Sequence, residues 1–421
     1  MRCPRLDADS LHNPHVRRVS IVIPYLSTHP DHESALRPLP EALRHVVEGG
    51  SVCKLAPLPV GATPEAAFLA LDPNAVQVAQ GPLTVAALGH LPPERSVHFH
   101  LTLCSVDAAG ALQPAQLEGR PPGRPAGDAQ EHVPPYAQER VPPWGPELDA
   151  VFLAGERLKT ASLTPLRGED LDHALVWEKG STDNRTVPPS DAFGTPYLQN
   201  APQGEGEAEL RRFIDDSVNL LNGLEANHAR REDGLTPLNC LWPWGQGFRP
   251  DLPNLPLRRG DVARVESGSM RMQGLCRLVG YAHGDRGAFG KRLQTDWGVV
   301  RRAVESGRIT LIVLHSVEEM QRHRRTDEIA HALDQLSAIV VAPLLEKRSD
   351  SPFELRIAAP SGHASVGGPP DTAAQTGLGL TFSSVSPGVG AAPFDERVLD
   401  DPRVPTLHTW EHLHGGFLGE S

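Results

Sequence analysis

Short apolar runs rich in Val, Ile and Leu, bounded by proline, glycine or charged residues, are the clearest pattern along this chain. Runs of this kind are typical of strands buried inside a sheet, and partial alternation is typical of half-buried strands. The pattern predicts strands at 19–24, 97–106, 148–154, 174–179, 308–315 and 355–359. The end of the strand at 308–315 matters most, because open α/β sheets bind ligands at the carboxyl ends of their strands.

Three longer stretches have apolar residues at helical spacing. The first, at 40–48, ends at a pair of glycines. The second, at 206–231, is predicted as a single helix, and the third is predicted at 327–345. Their apolar stripes, which we expect to face the core, are Leu43, Val46 and Val47; Leu210, Phe213, Ile214, Val218, Leu221 and Leu224; and Ile329, Leu333, Leu336, Val340 and Leu344.

The stretch at 237–250 contains two of the six tryptophans, together with two glycines and three prolines. It reads Pro-Leu-Asn-Cys-Leu-Trp-Pro-Trp-Gly-Gln-Gly-Phe-Arg-Pro. We predict a short buried strand at 238–242 that stops at Pro243, because proline cannot donate to a ladder. Gly245 and Gly247 allow backbone angles or close approaches that a Cβ would forbid. Large aromatic rings beside glycines therefore predict a rigid wall next to a loop.

Composition narrows the possible functions. With 421 residues, the chain forms one large domain or two linked ones. Its net charge of -12 argues against a nucleic-acid partner and gives no reason to expect a membrane surface. Its 41 prolines predict long irregular loops, the longest at 107–146.

The cysteines predict a reducing compartment. The five are widely spaced and form no C-x-x-C pair, which excludes a thiolate zinc cluster. The first 18 residues are polar and do not resemble a signal peptide. We therefore expect a cytoplasmic protein. A C-terminal group of histidines is interpreted as part of a tail and not as a site: His408, His412 and His414.

The tryptophan stretch also carries a family resemblance. With Asn239 ahead of it, the run Leu-Trp-Pro-Trp-Gly-Gln-Gly resembles the N-x-hydrophobic-W-x-W-G-x-G signature of cofactor-independent phosphoglycerate mutases. The resemblance is to the archaeal-type branch, within the alkaline phosphatase superfamily. Two further segments, at 81–89 and 274–280, are similar to that family. The alternative is that the tryptophan stretch only packs a core edge, and both can hold.

The resemblance implies an α/β fold class, with an alkaline-phosphatase-like core sheet flanked by helices and a smaller inserted α+β domain. We expect the core domain at 1–91 and 203–421. The inserted domain is expected at 92–202, with the Pro/Gly-rich loop at 107–146 inside it. The family reaction is phosphoryl migration between the 2- and 3-hydroxyls of glycerate through a phospho-enzyme. It requires two divalent metals that clamp the phosphoryl oxygens and activate the nucleophile.

Three residues match the metal ligands that the resemblance implies. The family has Asp-x-x-x-His after the strand at 308–315, and here Glu319 and His323 stand four residues apart, on one helical face. An ordinary surface pair explains this spacing equally well. His363, after the strand at 355–359, matches a family histidine.

Other family positions are changed. Where the family's first strand ends in a metal-binding aspartate, this chain has Pro24. The nearest acid, Asp31, could be displaced into that role, although a solvated loop position is the favoured interpretation. Ser361 or Gly362 replaces a second aspartate. No histidine stands at 376–380, where the last one is expected. Ala62 replaces the serine nucleophile.

Thr63, one position after Ala62, is the candidate catalytic hydroxyl. It could act as a nucleophile with a metal or base to lower its pKa. The favoured interpretation is a helix N-cap, with Pro64 at the first helical position.

The resemblance also implies substrate contacts. The family has a phosphate-binding arginine near 98–100, where this chain has His98 and His100. Two histidines on one strand face could bind a metal, although such residues more often lie on a half-exposed surface. Asp191 matches an acidic residue of a Pro-His-Asp element, although Ser190 replaces its histidine. The remaining expected substrate-binding residues are Trp244, Gly245, Gln246 and Gly247.

These departures predict a degenerate relative of the mutases that binds a small phosphorylated metabolite or a protein partner. The alternative is an active phosphoryl-transfer enzyme, a mutase or phosphatase, that uses Thr63 at an altered, metal-poor site. The ligand set leaves room for one divalent ion, Mn or Zn, or for none.

Overall fold

The computed structural model describes residues 17–23, 40–56, 64–69, 71, 78–115, 144–169, 171–252, 264–284, 295–306, 309–322, 326–359, 377–384, 402, 404, 406–407 and 412–413. The chain forms two compact units. Unit 1 comprises Met1–Gln77 and Leu252–Ser421, and unit 2 comprises Val78–Asp251.

Strands and helices are numbered in chain order within the described residues. The strands are β1 (Arg17–Val22), β2 (Ser51–Leu55), β3 (Ser96–Val106), β4 (Leu112–Gln113), β5 (Leu163–Glu169), β6 (Asp172–Glu178), β7 (Asn184–Arg185), β8 (Gln203–Gly204), β9 (Cys240–Gly247), β10 (Arg264–Ser267), β11 (Ala282–His283), β12 (Ile309–Val313), β13 (Phe353–Ala359), β14 (Gly377–Ser383) and β15 (Thr406–Leu407). The helices are α1 (Glu41–Glu48), α2 (Pro64–Phe68), α3 (Gln80–Ala87), α4 (Trp144–Gly155), α5 (Pro189–Ala192), α6 (Tyr197–Asn200), α7 (Glu207–Asn222), α8 (Glu225–Glu232), α9 (Met270–Val279), α10 (Trp297–Ser306), α11 (His315–Arg322), α12 (Thr326–Gln335) and α13 (Ala342–Glu346). A 3-10 turn, Glu156–Leu158, follows α4, and a π-helical segment, Leu336–Val341, joins α12 to α13.

The sheet of unit 1 has the strand order β11-β10-β12-β1-β13-β14-β2-β15. Strands β10, β12, β1 and β13 run parallel, so their carboxyl ends lie at one edge. Strand β14 is antiparallel to β13 and β2. The predicted strands at 19–24, 308–315 and 355–359 are β1, β12 and β13, which lie side by side in the middle of the sheet. Their apolar runs fit strands covered on both faces.

Helices α1, α10 and α12 pack their apolar residues against this sheet. Both predicted stripes are confirmed here, since Leu43 and Val46 of α1 are buried and the helical stretch at 326–346 buries Ile329, Leu333 and Val340. Among the described residues, Asp327–Glu346 is the one helical stretch long and apolar enough to cross a membrane. Its apolar face is used inside the core of unit 1.

Unit 2 is built on a sheet in which β3 pairs with β9 on one side and with β6 on the other, and β6 pairs with β5. Short β4 pairs with the last residues of β3. One face buries Val97, Phe99 and Leu101 under α4 and α7. Helix α3 packs on β3, β6 and β9, and contributes Val85 to a small cluster with Ala174 and Val176 of β6.

Unit 2 is larger than the inserted domain expected at 92–202, because its boundaries fall at 77/78 and 251/252. Helix α3 precedes the expected segment, and α7, α8 and β9 follow it. Helix α3 packs on β3, β9 pairs with β3, α7 packs on β9, and α8 packs on α4 and α7, so these elements belong to the same core. The core domain of unit 1 is correspondingly shorter than 1–91 and 203–421.

The predicted strand at 148–154 is wrong, because these residues form part of helix α4. A short apolar run does not distinguish a strand from a buried helix. Residues Val151 and Ala154 of α4 are buried in the cluster that includes Leu210 and Phe213 of α7. Packing against a neighbouring helix therefore decides the conformation.

The single helix predicted at 206–231 is also wrong. It is divided into α7 and α8 by Gly223 and Leu224, and Leu224 has an extended backbone with ψ of 140°. Glycine lacks side-chain contacts that would favour continuing the helix. The predicted apolar stripe is nevertheless buried, with Leu210, Phe213 and Leu221 in one cluster.

Candidate functional site

The carboxyl edge of the unit 1 sheet is the first candidate site, because ligands of open α/β sheets bind at such edges. Strand β1 remains bonded to β13 as far as Ile23, whose N–H donates to the carbonyl of Ala358 over 2.9 Å. The next residue in the sequence is Pro24. Strand β13 ends at Ala359, and Pro360 follows it. Two adjacent strands at this edge are thus followed by proline, and neither is followed directly by a carboxylate.

Strand β12 ends at Val313 at the same edge, and Leu314 donates its N–H to the carbonyl of Val22 over 2.9 Å. Helix α11 begins at His315, so this imidazole stands at the edge. Ser316 follows, and its hydroxyl lies 2.7 Å from that of Thr295. The edge therefore has an imidazole beside β12, whereas the Ser316 hydroxyl is buried and bonded to Thr295.

The predicted nucleophile and metal ligands fall mostly outside the described residues. Thr63, His323 and His363 lie there, as does the side chain of Glu319 on α11. Their roles stay predictions. Helix α2 begins at Pro64, which fits the capping interpretation of Thr63. Within the described ranges, His, Cys, Asp and Glu side chains form no group of three or more that could hold a metal.

Glu266 is not among the predicted site residues. Its side chain is fully buried on β10, one position before the end of a strand that runs parallel to β12. Gly284 packs against it so closely that a Cβ would come within 1.7 Å of Oε2. The sequence gives no distinct signal for it, because its strand, Arg-Val-Glu-Ser, is mostly polar. Burying a carboxylate is costly, so such a position marks a specific environment.

The second candidate site is the tryptophan strand β9 of unit 2. The strand continues through Pro243, which lies opposite Leu101 in the register, so the predicted stop at Pro243 is wrong. Pro243 is tolerated because β9 pairs with β3 on one side only within the described residues. The chain satisfies the other edge with side chains: Leu241 donates its N–H to Ser217 Oγ over 3.1 Å, and Gly245 donates its N–H to Thr186 Oγ1 over 3.2 Å.

The indoles of β9 are fixed by hydrogen bonds inside unit 2. Trp242 is fully buried and donates its Nε1–H to the carbonyl of Val187 over 2.8 Å. Trp244 is half-buried and donates its Nε1–H to Thr102 Oγ1 over 2.8 Å. Both indoles are therefore held in place, as the predicted rigid wall requires, and part of the Trp244 surface faces solvent.

Gln246 is held by residues around the short strand β7. Its Oε1 accepts a hydrogen bond from the Thr186 hydroxyl, and its Nε2 donates to the carbonyl of Asn184 over 2.5 Å. Gly245 has φ of +64°, and Gly247 approaches so closely that a Cβ there would lie 2.5 Å from the Cβ of Ala79. Both glycines are thus required by local geometry. The role of the four residues in substrate binding stays a prediction.

Asn239 anchors the start of β9. Its side-chain amide accepts from the N–H of Val106 over 2.7 Å and donates to the carbonyl of the same residue over 3.0 Å. It also donates to Asn222 Oδ1 over 2.9 Å. Asp191, in contrast, is exposed on α5 and accepts from the Ser190 hydroxyl over 3.1 Å. Asn239 therefore stabilises the fold of unit 2 by joining β9 to Val106 and Asn222. The Asp191 carboxylate, in contrast, is available at the surface.

The two histidines of β3 are buried, and so differ from the half-exposed surface residues that their pattern favours. His98 Nδ1 lies 3.3 Å from the carbonyl oxygen of Gly247, and burial lowers the pKa of His98 to about 4. His100 Nδ1 lies 2.7 Å from Thr84 Oγ1, and His100 Nε2 lies 3.2 Å from Asp172 Oδ1. Both nitrogens of His100 therefore face partners within unit 2.

A buried cluster in unit 1 contains His412, which the sequence pattern assigns to the tail. The carbonyl of His412 accepts from Arg356 over 2.9 Å, and its Nε2 lies 3.0 Å from the carbonyl of Ile357. Its Nδ1 lies 3.4 Å from the thiol of Cys53. Burial, with the nearby Arg356 charge, lowers the pKa of His412 to about 4. This histidine anchors the described C-terminal residues to the sheet.

The fold is similar to that of known structures. It is the alkaline-phosphatase-like α/β fold of the cofactor-independent phosphoglycerate mutases, as the resemblance implied. The mutase structure from Thermoplasma acidophilum superposes with a TM-score of 0.55 at 14% identity, over 94% of this chain and 98% of that one. A protein structure from Pyrococcus horikoshii gives a TM-score of 0.62 at 11% identity, over 95% of this chain and 96% of that one.

Sequence comparison gives the particular relatives, which are 2,3-bisphosphoglycerate-independent phosphoglycerate mutases. The enzyme of Methanothrix thermoacetophila is 29% identical over 181 residues, which cover 42% of this chain and 44% of that protein. The enzyme of Methanosarcina mazei is 26% identical over 211 residues, 48% of this chain and 52% of that protein. A probable mutase of Geobacter sulfurreducens is 24% identical over 177 residues, 41% of this chain and 44% of that protein.

The chain spans about half the length of the curated relatives it matches. No protein-family model matches it. The comparisons thus show similarity to the mutases in fold and over part of the sequence, and the activity of this chain is a separate question.

Proposed function

We propose that this chain is a non-catalytic relative of the phosphoglycerate mutases that binds a small phosphorylated metabolite. The observation that carries the proposal is the carboxyl edge of unit 1, where β1 and β13 are followed by Pro24 and Pro360. Two divalent ions held close together need several hard ligands to offset their mutual repulsion. An edge with proline at two central strand ends supplies fewer carboxylates than such a centre needs.

The environment of His100 supports the non-catalytic part of the proposal. The resemblance places a phosphate-binding arginine near this position, and arginine is suited to bidentate phosphate contacts. Here the side chain is a buried imidazole beside the Asp172 carboxylate. A carboxylate repels phosphate oxygens, so this part of unit 2 is unsuited to the family's phosphate contact.

The residues that the sequence retains favour ligand binding without turnover. The chain keeps Glu319, His323 and His363 at positions that match metal ligands, which is enough for at most one weakly held Mn or Zn ion. An ion of this kind would give the phosphate of a metabolite a positively charged partner. Transfer of the phosphoryl group would further need an activated hydroxyl, and Thr63 is better suited to capping α2.

The test is a pair of measurements on the full chain with 3-phosphoglycerate. Interconversion with 2-phosphoglycerate is followed by coupled assay with Mn or Zn added, and binding is followed by calorimetry to roughly 1 mM, the upper range of common Michaelis constants. The Methanosarcina mazei enzyme serves as the positive control for the assay. We expect binding without turnover, and Glu319→Gln with His323→Gln is expected to weaken that binding.

Turnover that disappears in Thr63→Val would overturn the proposal in favour of an active phosphoryl-transfer enzyme at an altered site. Absence of both binding and turnover, in a folded protein, would overturn it in favour of a scaffold that recognises a protein partner.

A further inference from the structure

We propose that His100 is a positioning residue that sets the orientation of Trp244, and that Thr84 and Asp172 hold it in place. The inference rests on the proposed function in one respect, because Trp244 is expected to contact the metabolite. The orientation of the indole is a property of unit 2 and is measured without any ligand.

Three side chains form a hydroxyl–imidazole–carboxylate chain across three elements of unit 2. Thr84 belongs to α3, His100 to β3 and Asp172 to β6. The Thr84 Oγ1 to His100 Nδ1 distance is 2.7 Å, and the His100 Nε2 to Asp172 Oδ1 distance is 3.2 Å. The imidazole is therefore held from both sides, and rotation about its side-chain bonds would break one contact or the other.

The same three residue types occur in nucleophilic enzymes, but this chain is unsuited to that chemistry. Thr84 is fully buried, so a substrate cannot reach its hydroxyl. That hydroxyl donates to the carbonyl of Gln80 over 2.9 Å, one helical turn earlier. A nucleophile needs a proton that passes to a base and an open path to the substrate. The geometry therefore favours a structural role, in which Thr84 and Asp172 hold the His100 ring in one orientation.

The His100 ring in turn contacts the indole of Trp244. His100 and Trp244 are direct partners in the register of β3 and β9, and their ring centroids lie 5.0 Å apart at 66°. Edge-to-face contacts of this kind have a preferred geometry. Thr102, two residues further along the same face of β3, accepts the indole N–H over 2.8 Å. One contact fixes the N–H and the other fixes the ring plane.

Removing the imidazole should therefore change the orientation of the indole while the hydrogen bond from the indole N–H to Thr102 remains. The Thr102 contact alone leaves the ring free to turn about the N–H···O direction. A solvent-facing side chain with fewer preferred orientations binds a ligand with a smaller entropic cost. This is how a buried residue without ligand contact would influence affinity.

The test measures the near-UV circular dichroism of Trp244 as the difference between the parent protein and Trp244→Phe. We expect His100→Gln to lose most of this difference band, because its amide keeps a polar group without the ring. Thr84→Val and Asp172→Asn, which touch His100 but not the indole in these contacts, should each reduce the band. Their effects should not add to that of His100→Gln, since all act through one imidazole.

Thermal unfolding accompanies each spectrum, so that loss of fold is not mistaken for loss of orientation. Asp172 is 36% exposed, and Asp172→Asn is therefore the variant that is safest for folding. An unchanged Trp244 band in folded His100→Gln and folded Asp172→Asn would overturn the inference.

A second readout connects the orientation to binding. If the parent binds 3-phosphoglycerate, His100→Gln and Trp244→Phe should weaken binding by a similar factor, roughly ten-fold, which corresponds to about 1.4 kcal/mol. Unchanged affinity in both would overturn the connection to the ligand. Absence of binding by the parent would count against the proposed function, whereas the spectra would still decide the positioning role.

Discussion

Gly245 lies directly against Gln80: a Cβ added to this glycine would come within 2.7 Å of the Cβ of Gln80. Gly245 has φ of +64°, which is strained for residues with a side chain. The contact joins β9 to the first residue of α3. It explains physically why the tryptophan stretch requires a glycine immediately after Trp244.

Gly245→Ala is predicted to lower the free energy of unfolding by about 3 kcal/mol, because left-handed strain and overpacking act together. Gly234→Ala is the matched control. Gly234 has φ of +74°, and among the described residues beyond its chain neighbours no heavy atom lies within 4 Å of the place a Cβ would take. We expect about 1 kcal/mol for the control. Urea unfolding of both variants measures the difference, and equal losses would contradict the contact with Gln80.

Ser217→Ala is predicted to destabilise the protein by about 2 kcal/mol, because the buried N–H of Leu241 would lose its acceptor. The Ser217 hydroxyl also donates to the carbonyl of Ile214 over 2.7 Å. Ser190→Ala removes an exposed hydroxyl and should stay within about 0.5 kcal/mol of the parent. Hydrogen exchange at the Leu241 amide should accelerate in Ser217→Ala. Unchanged protection there would show that the Leu241 N–H has another acceptor.

The low pKa of His412 predicts a dependence of stability on pH. Burial and the Arg356 charge hold the folded pKa at about 4, below the ordinary value of 6.5. The unfolded chain therefore binds the proton more readily, and the stabilising contribution of neutral His412 is fully present above about pH 6.5. It is lost as pH falls from there towards 4.

His412→Gln should consequently show a flatter dependence of unfolding free energy on pH between 7 and 4, by about 3 kcal/mol over the interval. His98, whose pKa is also lowered to about 4, leaves a residual slope of the same sign. Denaturant unfolding at a series of pH values measures both. Identical slopes in the parent and in His412→Gln would mean that His412 does not titrate differently in the two states.

The sequence predicts the central strands of unit 1 well. The apolar runs of β1, β12 and β13 are determined by burial on both faces, which is a local property of the sequence. The strand proposed at 148–154 fails because helix α4 is selected by packing against α7, and that contact is absent from the local pattern. The break between α7 and α8 depends on Gly223, a residue tolerated inside helices in other contexts.

The site is less predictable than the fold. The resemblance identifies β9 and its glycines, because the mixture of tryptophan, proline and glycine is rare. It could not show that His100 meets Thr84 and Asp172, since these side chains are brought together only when α3, β3 and β6 pack. The buried Glu266 is equally hidden, because an acid in a strand is usually expected to face solvent.

We propose above that this chain has the fold of the phosphoglycerate mutases without the two-metal centre that the resemblance implies. The most direct measurement is the metal content of protein purified without chelator, followed by titration with manganese and with zinc. We predict at most one equivalent, bound weakly and lost on dialysis, with the fold retained. Two tightly bound equivalents would contradict it and would make phosphoglycerate mutase activity the expected function.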